Sequence, residues 1–301
     1  MSKHHEHSRP KLSTNKLLFS IILNLIITVS QFIGGIISGS LSLMSDAAHN
    51  LTDVISLIIS YIAAKLKLKK QTEHETFGYK RAEILAAFIN ASTLIVLSIY
   101  LAIESFKRFN NITEIESNLV IWLSLIALVA NSLSVALLSR DAKDNINMKS
   151  AYFHLLTDAM VSLAVLVGGL LMKYYQLYWI DPALTLMISV YLMYLSWDIL
   201  LESTKMLMLF APEGIHIKDI ESSILRISKV KNLHHVHLWR LNDHDIYIEG
   251  HIQFKENISM AEWDEICLEI ENLLWEEFNI NHSILQPELV RDDIKSFIIQ
   301  D

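Results

Sequence analysis

The chain has 301 residues, 52% of them hydrophobic and only 19% charged, with a formal net charge of -8 and a mean hydropathy of +0.34. That is too apolar for an ordinary soluble domain of this length and indicates a membrane protein. The lone Cys267 excludes an intramolecular disulfide and any CxxC redox or metal motif, and no basic face with interleaved aromatics is present to receive nucleic acid.

Residues 1–16 are polar and carry His4, His5 and His7 beside Glu6. They read as a disordered cytosolic tail, with metal capture by the histidines as the alternative. The first apolar run is too long for the core of a secretory signal and no small-residue cleavage site follows it, so it is expected to remain as a membrane helix. Six apolar runs, at about 17–37, 41–64, 82–102, 119–138, 151–172 and 180–201, each approach the ~20 residues that span a bilayer. The expected class is therefore an α-helical membrane protein, with a six-helix transmembrane domain over 17–204. Lys3, Arg9, Lys11 and Lys16, then Lys65, Lys67, Lys69, Lys70, Lys80 and Arg81, then Arg140, Lys143 and Lys149 fall on one side, against Lys107, Arg108 and Lys173 on the other. That bias places both termini in the cytoplasm.

The turn Ser38-Gly39-Ser40 joins the first two runs, and Gly34 and Gly35 just before it suit close helix packing. Asn24, Gln31, Asp46, Asn50, Asn90 and Asn131 lie within the runs and imply a bundle with a polar interior. Asp46 suits either an entrance carboxylate or a helix N-terminal cap after Ser42 and Ser45, the structural role being favoured.

Two stretches carry the chemistry. In Ser45-Asp46-Ala47-Ala48-His49-Asn50-Leu51-Thr52-Asp53 and in His154-Leu155-Leu156-Thr157-Asp158, a histidine precedes an aspartate by four residues. On a helix, positions i and i+4 share one face, so each pair aims an imidazole nitrogen and a carboxylate oxygen in one direction. Ionisable groups inside a membrane segment cost ~2.5 kcal/mol or more each, so four of them mark a working centre. Two imidazoles and two carboxylates converging from two helices make an N/O site suited to zinc or a similar divalent ion.

Residues 205–212 read as a linker, and 213–301 as a soluble cytosolic domain. Helical periodicity at 217–227 and 261–278, with strand alternation at 232–241, 245–254 and 280–285, predicts an αββαβ order and a small two-layer, ferredoxin-like α+β fold. Histidine is dense here: His234, His235, His237, His244, His251 and His282. Strict alternation puts His235 and His237 on one face and His234 on the other. Cys267 reads as a small apolar residue on an amphipathic helix.

These features together resemble the cation diffusion facilitator family of metal exporters over nearly the whole chain. Ser42-Leu43-Met44-Ser45-Asp46-Ala47-Ala48-His49, Phe77-Gly78-Tyr79-Lys80-Arg81-Ala82-Glu83 and Trp179-Ile180-Asp181-Pro182 are similar to family stretches in the same order. The resemblance implies a transport site at His49, Asp53, His154 and Asp158, of the two-histidine, two-aspartate kind found in zinc-preferring members. It implies a homodimer whose cytosolic domains regulate and dimerise, with metal ligands at His234, His251 and His282. A loop site used by some members is represented here only by His74, because Tyr79 stands where a second histidine would be. The family's linker carboxylate, which pairs with a base near Arg81, has no counterpart in 205–212, so any charge lock must differ.

The function implied is efflux of Zn2+ in exchange for protons rather than enzymatic catalysis. Metal and protons compete for the same four side chains, and histidine, with an unperturbed pKa of ~6.5, is the natural carrier. The membrane expected is a bacterial inner membrane. The alternatives are export of Cd2+, Co2+ or Fe2+ through the same ligand set, a membrane zinc sensor that moves nothing, and a metallohydrolase, against which stands the absence of His-Glu-x-x-His and of a free general base.

Overall fold

A computed structural model describes residues 14–67, 69–139 and 146–289. The histidines of the N-terminal tail, the basic residues Arg140 and Lys143, and the last residues of the C-terminal domain lie outside the described residues. Six long helices come first: α1 (Thr14–Ser38), α2 (Leu41–Lys67), α3 (Ala82–Asn110), α4 (Ser117–Leu138), α5 (Ile146–Tyr175) and α6 (Ile180–Leu207). Then follow α7 (Ile217–Ile224), β1 (Val230–Arg240), β2 (Ile246–Phe254), α8 (Met260–Phe278) and β3 (His282–Glu288). The αββαβ order read from periodicity is the order observed, and α3, α5 and α6 each run a turn or more past the apolar stretch that predicts them.

Among the described residues, four helices are long and apolar enough to cross a membrane, namely α3 to α6. The described apolar part of α1 is the shorter Leu25–Ser38. Helix α2 carries Ser42, Ser45, Asp46, His49, Asn50, Thr52 and Asp53 among its apolar residues.

The chain divides into two compact units. One comprises the chain up to Tyr61 together with Ile89–Ile199; the other comprises Ile62–Phe88 and the chain from Leu200 onward. In the first unit, Leu43 of α2, Leu94 of α3, Val120 of α4, Val165 and Met172 of α5, and Ile188 and Leu192 of α6 form one buried apolar cluster. The glycine pair of α1 serves close packing: a Cβ on Gly34 would come 2.0 Å from Leu123 Cδ1, and one on Gly35 would come 2.5 Å from Met44 Cγ and 3.1 Å from Met44 N. At Gly35, where the backbone of α2 is this near, the close approach needs a residue without a side chain, whereas at Gly34 the Leu123 side chain would have to move.

The turn between α1 and α2 is fastened from several sides. Gly39 takes φ +73°, a conformation that favours glycine. Ser38 O accepts from Glu116 N at 3.0 Å, and Arg108 donates to Gly39 O. Helix α2 then begins with donors that lack intrahelical partners, and Asp181 of α6 supplies the acceptors. Its carboxylate receives Leu41 N at 2.9 Å, Ser42 N at 3.1 Å, Ser40 Oγ at 2.6 Å and Ser42 Oγ at 2.6 Å. Ser40 Oγ also accepts from Leu43 N at 3.2 Å. Asp46, by contrast, sits more than a turn inside α2 and is no cap; that role is divided between Ser40 and Asp181.

In the second unit, α7 and α8 cover one face of a three-stranded sheet of order β1-β2-β3, with β1 and β2 antiparallel and β2 and β3 parallel. Trp263, Ile266, Ile270 and Leu274 recur at helical spacing along α8 and pack on Leu233, Val236, Leu238, Ile248 and Ile252 of the sheet. Each fully buried aliphatic side chain is worth about 1.5–3 kcal/mol. A Ser259–Glu262 capping box starts α8, and Asn279, with φ 55°, ends it, its N–H donating to Trp275 O while the Ile280 N–H donates to Leu274 O.

Strict alternation fails in β1. His235 adopts φ 53° within a register shift between His234 and His237, so one extra residue is looped out and the phase of the strand changes. Leu233, Val236 and Leu238 can then all face the helices. His234 and His237 come to lie on the opposite face together; the His235 and His237 rings keep company as expected, 5.2 Å apart, and it is the expected separation of His234 from them that fails.

The β1–β2 turn is braced by Asn242, whose Oδ1 accepts from His244 N and Asp245 N, both at 2.8 Å. Asp245 pairs with Lys80 at 2.8 Å, and Phe77 meets Tyr247 edge to face at 6.1 Å. The Lys80 ammonium is held above its usual range by the hydrogen bond to Asp245. Burial pushes the Asp245 carboxyl up, but hydrogen bonds from Lys80 and Asn242 outweigh it and hold the group below the usual carboxylate range. Asp245 therefore adds stability above its unfolded value of ~3.9 that disappears as pH falls through the folded value, and Lys80 adds stability below ~10.4 that disappears as pH rises through its own. At neutral pH, Asp245→Asn should lower hydrogen-exchange protection of the 242–246 backbone by less than tenfold, as a part-exposed pair worth about 1 kcal/mol or less implies. The difference from wild type should shrink toward pH 2; a difference that persists there would assign the effect to packing instead.

Candidate metal centre

Helices α2 and α5 bring the two His-x-x-x-Asp pairs face to face. His49 Nε2 lies 3.0 Å from Asp158 Oδ1 and 3.7 Å from Asp53 Oδ2. His154 Nε2 lies 3.2 Å from Asp53 Oδ2 and 3.7 Å from Asp158 Oδ2. The shorter contacts cross between the helices and the longer ones run along each helix, so each imidazole nitrogen faces both carboxylates. The two rings stand 5.8 Å apart at 68°, and one ligand atom from each residue fits within a span of 4.8 Å.

These spacings can be compared with what a metal needs. For zinc bound by nitrogen and oxygen at about 2.0 Å in a tetrahedron, neighbouring ligand atoms are about 3.3 Å apart. The four contacts above bracket that length, so small side-chain adjustments convert the arrangement into a coordination shell. The donor set is neutral nitrogen and anionic oxygen, which suits zinc and neighbouring divalent ions.

Burial is graded across the site. The side chains of His49 and Asp158 are 6% and 4% exposed, against 29% for Asp53 and 47% for His154. The more exposed ligands lie further toward the C-terminal end of α2 and the N-terminal end of α5. On the other side, Gln31, Asp46, Asn50 and Ser162 form a buried polar cluster. Gln31 Nε2 donates to Asp46 Oδ2 at 2.7 Å, Ser162 Oγ donates to the same oxygen at 3.4 Å, and Asn50 Nδ2 donates to Gln31 Oε1 at 3.4 Å. The polar interior expected of the bundle is therefore concentrated next to the ligand set.

A second group lies on the face of the small sheet away from α7 and α8. His234 and His251 are cross-strand partners. Glu288 joins them, with Oε2 at 3.2 Å from His234 Nε2 and Oε1 at 2.9 Å from His251 Nδ1. The side chains of His234 and Glu288 are 0% and 2% exposed. The three offer ligand atoms within 4.8 Å of one another. His235, displaced by the bulge, stacks on His251 at 4.8 Å.

Of the histidines singled out in this domain, His234 and His251 are thus brought together and His282 is not; its ring stands edge-on to Tyr247 at 4.4 Å. Glu288 takes the third position. Pro287 obscures it in the sequence, since proline normally ends a strand, yet β3 is an edge strand and tolerates it. His74 is exposed and belongs to no group of three potential ligands among the described residues.

Comparison with known proteins agrees with the geometry. Residues 17–208 match the cation efflux transmembrane domain, and residues 212–290 match the cytoplasmic domain of cation efflux proteins. A cadmium, cobalt and zinc/H(+)-K(+) antiporter of Bacillus velezensis is 32% identical over 287 residues, covering 94% of this chain and 91% of the relative. The metal cation efflux system protein CzcD of Cupriavidus metallidurans is 29% identical over 289 residues, 96% of this chain and 91% of the relative. The zinc transporter ZitB of Pectobacterium atrosepticum is 30% identical over 292 residues, 96% of this chain and 90% of the relative. With both of its domains matched and its paired motifs joined across α2 and α5, the chain belongs to the cation efflux family, the cation diffusion facilitators.

Proposed function

We propose that this protein exports a divalent metal, zinc first among them, from the cytosol in exchange for protons, and that His49, Asp53, His154 and Asp158 are the transport site. The observation that carries this reading is the crossed His–Asp arrangement at 3.0 to 3.7 Å between α2 and α5. A relative named as a cadmium, cobalt and zinc/H(+)-K(+) antiporter and one named as a zinc transporter support it.

Charge balance gives the exchange its logic. With both carboxylates ionised, the site is neutral when it holds one divalent cation or when both imidazoles are protonated, and doubly negative when empty. The empty state is the costly one in a low dielectric. Metal arriving from the cytosol displaces protons, and protons arriving from the far side displace metal. In this reading all six long helices span the bilayer and both termini are cytoplasmic. The more exposed Asp53 and His154 then face the cytosol, as in a transporter open to its loading side, and rocking of helix groups about the site supplies the outward state. A bacterial inner membrane fits the relatives. The match to the family's cytoplasmic domain supports a homodimer.

The decisive test is zinc uptake into proteoliposomes under an imposed proton gradient. Gradient-dependent flux is the expected result; binding without flux would turn the reading toward a sensor. The name of the Bacillus relative favours a second reading of cargo, in which cadmium and cobalt share the pathway, and competition between the ions in the same vesicles separates the two.

His234, His251 and Glu288 are proposed as the cytosolic regulatory metal site, with the fourth position of a tetrahedron filled by solvent or by the second copy. Metal held there would bias one conformation of the dimer and so couple cytosolic zinc to transport. Glu288→Ala should remove one zinc per chain from the equilibrium stoichiometry while leaving flux at saturating zinc measurable. Unchanged stoichiometry would dismiss this site.

A further inference from the structure

His49 is the most enclosed imidazole of the proposed transport site, and only one of its two nitrogens is accounted for. Nε2 faces Asp158 and Asp53. A neutral imidazole that ligates through Nε2 must carry its proton on Nδ1. That nitrogen is buried and has no hydrogen-bond partner among the described residues. Leaving such a donor unsatisfied costs about 1–3 kcal/mol.

A complementary group sits one turn away. Asp46 is fully buried; its Oδ2 is held by Gln31 and Ser162, while its Oδ1 is buried without a hydrogen-bond partner among the described residues. Asp46 and His49 are i and i+3 on one helix, with Cβ atoms about 5–6 Å apart. The two groups are not in contact here, but a rotation within that turn, or one bridging water, joins a buried donor lacking an acceptor to a buried acceptor lacking a donor.

The other half of the site supplies a comparison within the same molecule. His154 is 47% exposed and can satisfy its second nitrogen with solvent. The position three residues before it is Ala151. The carboxylate occurs where the imidazole is enclosed and is absent where the imidazole is open.

We infer that Asp46 is a positioning residue for the transport site: its Oδ1 accepts the Nδ1 proton of His49, which fixes the tautomer that presents Nε2 to the metal. The inference rests on the proposed transport site. Carboxylate–imidazole–metal relays of this kind set ring orientation and ligand basicity, and their loss typically lowers metal affinity 10–100-fold.

The test is calorimetric titration of zinc into the full chain in lipid nanodiscs, in a Glu288→Ala background so that the membrane site reports. Asp158→Ala should abolish the isotherm; if it does not, the transport site and this inference fall together. Asp46→Ala should weaken binding 10–100-fold with the stoichiometry kept, and Asp46→Asn, which retains an acceptor oxygen, should restore most of the affinity. Wild-type affinity in Asp46→Ala, where Asp158→Ala abolishes binding, overturns this inference alone. Nitrogen-detected NMR of the zinc-loaded protein supplies a readout that loss of packing does not move. A slowly exchanging, downfield Nδ1 proton on His49 is expected in the wild type, absent in Asp46→Ala while the His154 signal is unchanged. If Asp46→Ala does not fold, the wild-type spectrum decides, and a His49 without a hydrogen-bonded Nδ1 proton overturns the assignment.

Discussion

Asp158→Ala should reduce proton-driven zinc flux in proteoliposomes to the level of empty vesicles. Asp158 is the most enclosed of the four ligands, and its two oxygens approach both imidazoles, His49 at 3.0 Å and His154 at 3.7 Å. Removing it takes away one edge of the shell on each helix and leaves two imidazoles facing a single carboxylate. The remaining set can no longer be neutral both with one divalent cation and with two protons, so both halves of the exchange suffer. Asp53→Ala should have the same effect on flux, because Asp53 makes the other short crossing contact, to His154 at 3.2 Å. Flux at half the wild-type level or more in either variant would remove these residues from the pathway. Each variant should be checked for unaltered thermal unfolding, since the lost carboxylate also leaves a histidine unpaired.

The second large effect is expected at Asp181, far in sequence from the candidate metal centre but tied to the helix that carries His49 and Asp53. Asp181→Ala removes the acceptor for two backbone N–H groups at the start of α2 and for the hydroxyls of Ser40 and Ser42. All of these groups are buried, and each orphaned donor costs about 1–3 kcal/mol. An ionised carboxylate at a helix N-terminus also gains from the macrodipole. A loss of about 3 kcal/mol or more is therefore expected, read as a lowered midpoint for thermal unfolding in detergent or lipid. Asp181→Asn keeps one acceptor and should fall between the two. A midpoint for Asp181→Ala within a degree of wild type would show that the cap carries no load. The same contacts set the axial position of α2, and His49 lies about two turns beyond them, so metal affinity is expected to fall together with stability.

Much of the site was legible in the sequence because its information is local. A histidine and an aspartate four residues apart lie on one face of any α-helix, and two such pairs in apolar runs are costly enough to signal a purpose. The order of elements in the C-terminal domain was legible for the same reason, since helix and strand periods are short-range. His234 and His251 could be named from motif likeness, but their partner could not. Glu288 follows a proline at the end of an edge strand, and nothing near it in the chain marks it as buried against two histidines.

What the sequence by itself determined was which faces of which helices carry the candidate ligands, where the chain turns, and how the strands and helices alternate. The tertiary structure alone decided that His49 pairs with Asp158 and His154 with Asp53, that Asp181 rather than Asp46 caps α2, and that a bulge at His235 turns His234 toward His251 and Glu288. Each of these depends on the register between elements distant in sequence, where burial and hydrogen-bond satisfaction select one arrangement from many that the local pattern allows equally.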